Sequence, residues 1–311
     1  MLKFVYYYLR SMRLYYGFVT AATTLTVIPQ VDALGHEIPP YCGWRWAVVF
    51  AMGFLAWGFN QIFSDWCDRK EDAINAPHRP MVTGALNPAP AFAVSAVGLA
   101  AIAIIGFVLS PYTLVFLGVG GALNIAYSRL KRVPVLNCLV YAAAISCCAL
   151  FGVAAIAGRL PQVSEYMNVA ACVLPVHFLM CHNSYYKDVV GDRMAGVRTL
   201  QTLCPSVAYV VSIVLTVTLV ALHGLVWAVS ISMGAWCLGT SVQLLLTVLL
   251  SIALYVALRK NRLHLVTSLN CQLCVAFLCF QPSREAWPLL LTVGSLIAIN
   301  LLFLWYRDEK E

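Results

Sequence analysis

Eight stretches of this chain carry no Asp, Glu, Lys or Arg: residues 14–31, 46–64, 81–128, 133–158, 166–186, 199–258, 263–283 and 286–306. A helix needs about 20 consecutive apolar residues to cross the hydrocarbon of a bilayer. The two longest stretches hold two spans each, so ten candidate spans are expected. Pro111 and the Gly118-Val119-Gly120-Gly121 run should punctuate the first of them, and Gly234 to Gly239 the second. A chain of 311 residues with 61% hydrophobic and 11% charged residues is not an ordinary soluble domain, and its mean hydropathy is +0.82. Residues 1–311 therefore read as one all-α integral membrane domain, multi-pass and expected in the cell membrane. Nothing in them resembles a linker, a low-complexity tract or a soluble second domain.

The net charge of +7 follows topology rather than an acidic partner, and no nucleic-acid partner is expected. Walking the spans alternately across the bilayer puts five basic groups on one side: Lys3/Arg10/Arg13, Arg69/Lys70/Arg79, Arg129/Lys131/Arg132, Lys187/Arg193/Arg198 and Arg259/Lys260/Arg262. Fifteen of the 20 Lys and Arg residues lie there, against Arg45, Arg159 and Arg284 in the opposite loops. An excess of Lys and Arg marks the cytoplasmic side. The outer loop after the first span should contain Gly35, Pro39 and Pro40. Tyr6-Tyr7-Tyr8 and Tyr15-Tyr16, with Lys3, Arg10 and Arg13, suit an interfacial helix leading into that span. Arg10 and Arg13 interrupt any cleavable signal. The 12 cysteines, Cys147-Cys148 and Cys271-x-x-Cys274 included, read as small packing residues rather than a redox or metal motif.

Against this apolar background, six of the 13 acids fall in two clusters at the cytoplasmic ends of spans: Asp65, Asp68, Glu71 and Asp72, then Asp188 and Asp192. A carboxylate close to hydrocarbon is costly and marks a cation, a proton path or a substrate. On a helix Asp65, Asp68 and Asp72 lie at i, i+3 and i+7 and share one face; Asp188 and Asp192 form an i, i+4 pair. Acids so spaced repel unless a counter-charge intervenes. Two separate faces of hard oxygen suit Mg²⁺, which binds through one or two carboxylates and substrate phosphates. A solvated helix end explains one acidic cluster, but not two that share a D-x-x-x-D step and a downstream Arg, Arg79 and Arg198. Asn60 precedes Asp65 by five residues, as Asn183 precedes Asp188, which hints at internal duplication. The prolines of Asn75-Ala76-Pro77-His78-Arg79-Pro80 should end the helix of the first cluster. Interleaved Arg69, Lys70, Arg79, Arg129, Lys131, Lys187, Arg193 and Arg198 suit phosphate, although each also serves topology.

The segment Asp65-x-x-Asp68-x-x-x-Asp72-Ala73-Ile74-Asn75-Ala76-Pro77-His78-Arg79-Pro80 resembles the first aspartate-rich motif of the UbiA-type intramembrane prenyltransferases. Lys187-Asp188-Val189-Val190-Gly191-Asp192, running on through Arg198, is similar to the second, and Tyr127-Ser128-Arg129-Leu130-Lys131-Arg132 to the loop between them. The resemblance covers about residues 10–200 and implies a bundle of about nine to ten helices around a central cavity. It implies an allylic isoprenyl diphosphate bridged by two Mg²⁺ ions and a transfer of the isoprenyl group to a hydrophobic, aromatic or lipid acceptor. Asp65, Asp68, Asp72, Asp188 and Asp192 would be the metal-binding and catalytic acids. Asn60, Ser64, Arg79, Tyr127, Ser128, Lys131, Tyr185, Lys187 and Arg198 would bind substrate, with Arg79 and Lys131 on the diphosphate and Asn60 or Ser64 beside the first metal.

Ser64 stands where the family places Asn, and Tyr185 and Tyr186 stand where the second motif often carries an acid. These departures keep a membrane terpene cyclase, which ionises the same diphosphate, as the second reading. A cation- or proton-coupled transporter is a more distant one, because its acids belong nearer the midplane. His177, His182 and Asn183 could orient an acceptor or serve helix packing. Tyr127, Tyr185, Tyr186 and Trp66 could shield a cation through their π faces.

Overall fold

Hydrocarbon offers no partner to a backbone N–H or C=O, so apolar runs of this length form helices that satisfy themselves. The computed structural model describes residues 2–27, 43–130, 132–194, 196–233, 238–281 and 287–307, and among them it is helical without strands. Lys131 and the expected loop of Gly35, Pro39 and Pro40 lie outside the described residues. The helices are α1 (Leu2–Met12), α2 (Gly17–Leu25), α3 (Gly43–Cys67), α4 (Arg69–Asn75), α5 (Pro80–Thr83), α6 (Pro88–Leu109), α7 (Thr113–Leu130) and α8 (Leu136–Ala157). They continue as α9 (Val163–Lys187), α10 (Val189–Met194), α11 (Leu200–Leu203), α12 (Pro205–Ser232), α13 (Leu238–Arg259), α14 (Leu263–Leu278) and α15 (Trp287–Arg307).

Among the described residues, eight helices are long and apolar enough to cross a membrane: α3, α6, α7, α8, α9, α12, α13 and α15. The other two expected spans are α2, which is 9 residues long and ends at Leu25, and α14, which at 16 residues is about 24 Å long and shorter than the hydrocarbon core. Both sit at the centre. α2, α8, α9 and α14 pack on one another and carry most of the buried residues. α3, α6, α7, α12, α13 and α15 surround them and turn residues such as Val97, Val108, Val217 and Leu225 outward. An apolar rim of that extent belongs against lipid.

Small residues set the inner crossings. A Cβ on Gly152 of α8 would collide with the Thr24 carbonyl of α2, so those helices touch backbone to backbone. The Gly118–Gly121 run does not punctuate its stretch; it lies inside α7, and the break falls at Pro111. A Cβ on Gly120 would meet Cys147 Cβ at 3.2 Å and the Ala144 carbonyl at 3.3 Å, so this glycine lets α7 seat on α8. In α9, Pro175 has no N–H, and the helix widens into a π turn over Val169–Val173 just before it. The proline-rich loop ends α4 at Asn75 and starts α5 with Pro80 at a first-turn position, as expected. Amphipathic α1 buries Tyr8, Arg10, Ser11 and Met12 against the bundle.

Candidate active site

Both acidic motifs have the same local build. α3 ends at Cys67, and Asp68 takes φ −89° and ψ 5° before α4 begins. α9 ends in a 3₁₀ turn, Tyr185–Lys187, and Asp188 takes φ −97° and ψ −2° before α10. In each case the second Asp donates its backbone N–H to the carbonyl of the first, Asp72 to Asp68 and Asp192 to Asp188, both at 2.8 Å. The shared local build sets Asp68 against Asp188 and Asp72 against Asp192, whereas the offset from Asn60 and Asn183 sets Asp65 against Asp188. The break at Asp68 also means that Asp65, Asp68 and Asp72 do not ride one continuous helix face. Instead α4 and α10 turn aside and pack on each other, which buries Asp72 and Asp192 on adjacent short helices.

Beside them opens a charged cavity of about 410 Å³, whose walls include Arg13, Asp65, Arg79, Lys187, Asp188 and His264. Asp65 is 3% exposed, so its charge must be answered locally. Arg13 donates to both its oxygens at 3.0 and 3.1 Å, Gln61 Nε2 donates at 2.9 Å, and Arg79 lies at 3.4 Å. Arg79 also pairs with Asp72 and so links the acids on either side of the break. Arg13 comes from the elbow between α1 and α2 at φ +47°, a strained value for a residue with a side chain. Tyr306 of α15 holds that elbow, donating its hydroxyl to the Leu9 carbonyl at 2.7 Å and accepting from Leu14 N–H at 3.3 Å. Burial pushes the Asp72 carboxyl above its ordinary pKa, and the Arg79 guanidinium only partly offsets this. Burial opposes the charge of Arg13, but Asp65 together with Tyr15, Asp72 and Tyr16 outweighs it and holds the guanidinium protonated.

A second, mostly apolar cavity of about 330 Å³ runs along α3 toward the bundle centre, lined by Met52, Trp57, Asn60, Phe116, Asn124 and Phe151 among others. Asn60 accepts a hydrogen bond from Asn124 at 2.9 Å in its wall. Its five-residue offset from Asp65 places it about 7.5 Å deeper along the helix. Trp57, whose ring lies 5.0 Å from that of Tyr16 at a tilt of 35°, lines this apolar cavity.

The remaining candidates separate. Ser64 is half-buried and accepts the Asp68 N–H on its backbone carbonyl. Tyr127 and Tyr185 meet hydroxyl to hydroxyl at 3.0 Å in a cluster with Cys138 and Cys181. Ser128 and Arg198 are exposed and do not line the charged cavity. His177 pairs with Thr23, His182 with the Ala208 carbonyl and Asn183 with Ser212, all buried helix-packing contacts. Trp66 packs on Phe92 and beneath Arg69. Sequence reasoning missed Arg13, Gln61, His264 and Tyr306. Only Arg13 carried a signal, as a basic residue at the cytoplasmic end of a span, and that was spent on topology.

Known proteins place this architecture. The chain is 32% identical over 189 residues to digeranylgeranylglyceryl phosphate synthase of Natronomonas pharaonis, a match covering 59% of this chain and 64% of that one. It therefore spans less than two thirds of that relative's length. Its fold matches the apo structure of a UbiA homolog from Aeropyrum pernix K1 with a TM-score of 0.66, at 18% identity, over 93% of this chain and 97% of the other. A UbiA homolog from Archaeoglobus fulgidus bound to DMAPP and Mg²⁺ matches at 0.57 and 15% identity, over 97% and 98%. The model of the UbiA prenyltransferase family matches residues 23–269, both acidic motifs included, and this chain belongs to that family.

Proposed function

We propose that this protein transfers an isoprenyl group from an allylic isoprenyl diphosphate to an amphiphilic, lipid-type acceptor, with Mg²⁺ at the paired motifs. The observation that carries this reading is the repeated D-x-x-x-D break, which puts Asp72 and Asp192 on two packed short helices beside a cavity rich in arginine and lysine. The donors are carboxylate oxygens, the kind Mg²⁺ takes, but among the described residues no three acids stand close enough together to hold an ion, so the fit is one of donor chemistry and not of a preformed cage. Asp68 and Asp72 from the first motif, with Asp188 and Asp192 from the second, would hold the ion, whereas Asp65, expected among the ligands, has both its oxygens engaged by Arg13, Gln61 and Arg79. Bound there, Mg²⁺ supplies Lewis-acid neutralisation of the departing diphosphate. The A. fulgidus homolog, bound to DMAPP and Mg²⁺, and the lipid product named for the N. pharaonis relative support the substrate classes.

The chain's own residues perform the rest. Arg13, Arg79 and Lys187 line the charged cavity and offer charge-assisted bonds to phosphate oxygens. Asp65 acts through the two guanidinium groups it holds, fixing where Arg13 and Arg79 point. With the diphosphate at the end of α3, the prenyl chain extends along that helix into the apolar cavity, which excludes water from a carbocation. Trp57 and Tyr16 present ring faces near the junction, in the role first given to Tyr127, Tyr185, Tyr186 and Trp66. The test is the double variant Asp68→Asn/Asp192→Asn, which keeps size and removes charge. Diphosphate release should fall by at least ~100-fold, the scale of losing one preorganised electrostatic stabiliser. Chelation should abolish activity in the unmodified protein and Mg²⁺ restore it. Undiminished release by the double variant sinks the metal-site assignment.

A further inference from the structure

The helices that enclose the apolar cavity mark two levels in it. α3 ends at the first acidic motif, and α7 ends beside Tyr185 of the second, where Tyr127 meets it. Near those ends Asn60 of α3 accepts from Asn124 of α7 at 2.9 Å, which fixes one level close to the motifs. Eight residues back along each helix stand Met52 and Phe116, so both lie about 12 Å further from the motifs. Phe151 reaches this second level from α8. Its ring occupies the space beside Gly106 of α6, where a Cβ would come within 3.1 Å of it and within 3.0 Å of Thr113 at the start of α7. Thr24 of α2 closes the remaining side. A Cβ on Gly53, next to Met52, would lie 2.8 Å from its methyl, and one on Gly152, next to Phe151, would collide with its carbonyl. Met52, Phe116 and Phe151 are each at most 5% exposed although all three line the cavity. Apolar packing accounts for buried rings in any core. It does not account for three bulky side chains from three helices meeting at the same depth of a cavity.

We propose that Met52, Phe116 and Phe151 form a floor that sets the length of the isoprenyl chain this protein takes. The assignment rests on the transferase reading, which supplies the chain and places its diphosphate at the end of α3. Met52 stands 13 residues from Asp65, about 20 Å along α3. An isoprenyl unit advances roughly 4–5 Å, being four carbon–carbon bonds in a zigzag. A C20 chain therefore reaches the floor, and a fifth unit must displace side chains that are already packed.

The full-length protein, purified in detergent with Mg²⁺, is titrated with unreactive thiolodiphosphate analogues of C10, C15, C20 and C25 chains. Affinity should rise from C10 to C20 as more apolar surface is buried, then fall about tenfold at C25. Phe151→Ala should bring C25 to within about twofold of C20, because the lost ring vacates the floor. Phe277→Ala removes an equal ring from α14 and should keep the discrimination. Ala103→Phe adds a ring to the wall one turn nearer the motifs than Gly106, and should weaken C20 about tenfold while sparing C10. On the unmodified protein, a C15 analogue ending in a diazirine should mark 49–53, 113–117 and 147–152, and a C5 one 56–60 and 120–124. That labelling settles the floor even where Phe151→Ala does not fold. Equal affinity for C20 and C25, discrimination that survives Phe151→Ala or is lost equally in Phe277→Ala, an Ala103→Phe that weakens C10 as much as C20, or marking elsewhere would overturn the proposal. A protein that binds every length alike removes the floor and leaves the transferase reading standing; one that binds no analogue removes both.

Discussion

Asp72 carries two opposed influences, burial that favours the neutral acid and the Arg79 guanidinium that favours the carboxylate. Burial wins, so the folded protein holds the Asp72 proton above the ordinary carboxylate range of about 4. Turnover requires the ionised form on the reading proposed above. The acid limb of kcat/KM against pH for diphosphate consumption should therefore lie above that range. Arg79→Gln removes the larger of the influences that ease ionisation, and the limb should move to higher pH while kcat/KM falls. A limb that stays put or moves to lower pH would remove Asp72 from the reacting machinery. The linkage to stability has the same sign. A carboxyl with a raised folded pKa favours folding most below its unfolded pKa, and that contribution is lost as pH rises through the folded value.

Between elements, the bundle depends on how closely inner helices approach, and glycine positions grade that dependence. Gly152→Ala drives a methyl into the Thr24 carbonyl, Gly120→Ala crowds Cys147 and Ala144 so that they must give by a few tenths of an ångström, and Gly294→Ala meets nothing within 4 Å. Overpacking costs about 1–3 kcal/mol, whereas alanine in an open helix position gains roughly 0.5–1 kcal/mol over glycine. In detergent, Gly152→Ala should lower Tm by about 4 °C or more, Gly120→Ala by less than half of that, and Gly294→Ala should not lower it. Equal effects would show that α2 and α8 do not cross as described. The same graded reach separates what was legible in the sequence from what was not. Charge-free runs become helices because lipid leaves the backbone no other solution, so those segments were readable. The role of Gly118–Gly121 was not, because a glycine run marks a turn or a close approach according to what packs on it. The two acidic motifs stood out through the cost of their charge. Arg13 did not, because its pairing with Asp65 spans 52 residues and depends on an elbow with positive φ that no local pattern encodes.

At the scale of the whole molecule, the ends of α1, α3, α9 and α14 converge on the charged cavity, which gathers Arg10, Arg13, Arg79, Lys187 and His264 at one end of the bundle. The positive-inside rule predicts that this end faces the cytoplasm. Single cysteines at exposed Ile74 and Met194, with Cys42, Cys67, Cys204 and Cys237 replaced by Ser, should resist an impermeant thiol reagent in intact cells and label after lysis. One at exposed Val163 should label in both, and the reverse pattern would put the diphosphate site on the wrong side for a cytosolic substrate. Transferase and cyclase readings share everything up to ionisation, so loss-of-function variants do not divide them; they differ in where the cation ends. A transferase needs a second substrate, and without it turnover should fall to slow hydrolysis that yields a linear alcohol. A cyclase needs only the diphosphate and folds the chain back on itself, which the cavity must template. The cavity here is enclosed by α2, α3, α6, α7 and α8, and Asn124 donates to Asn60 at 2.9 Å in its wall. On the transferase reading, product should rise with added lipid acceptor. If protein stripped of lipid converts a C15 or C20 diphosphate into a cyclic terpene at enzyme-like rates, above ~1 per second, the transferase reading is wrong.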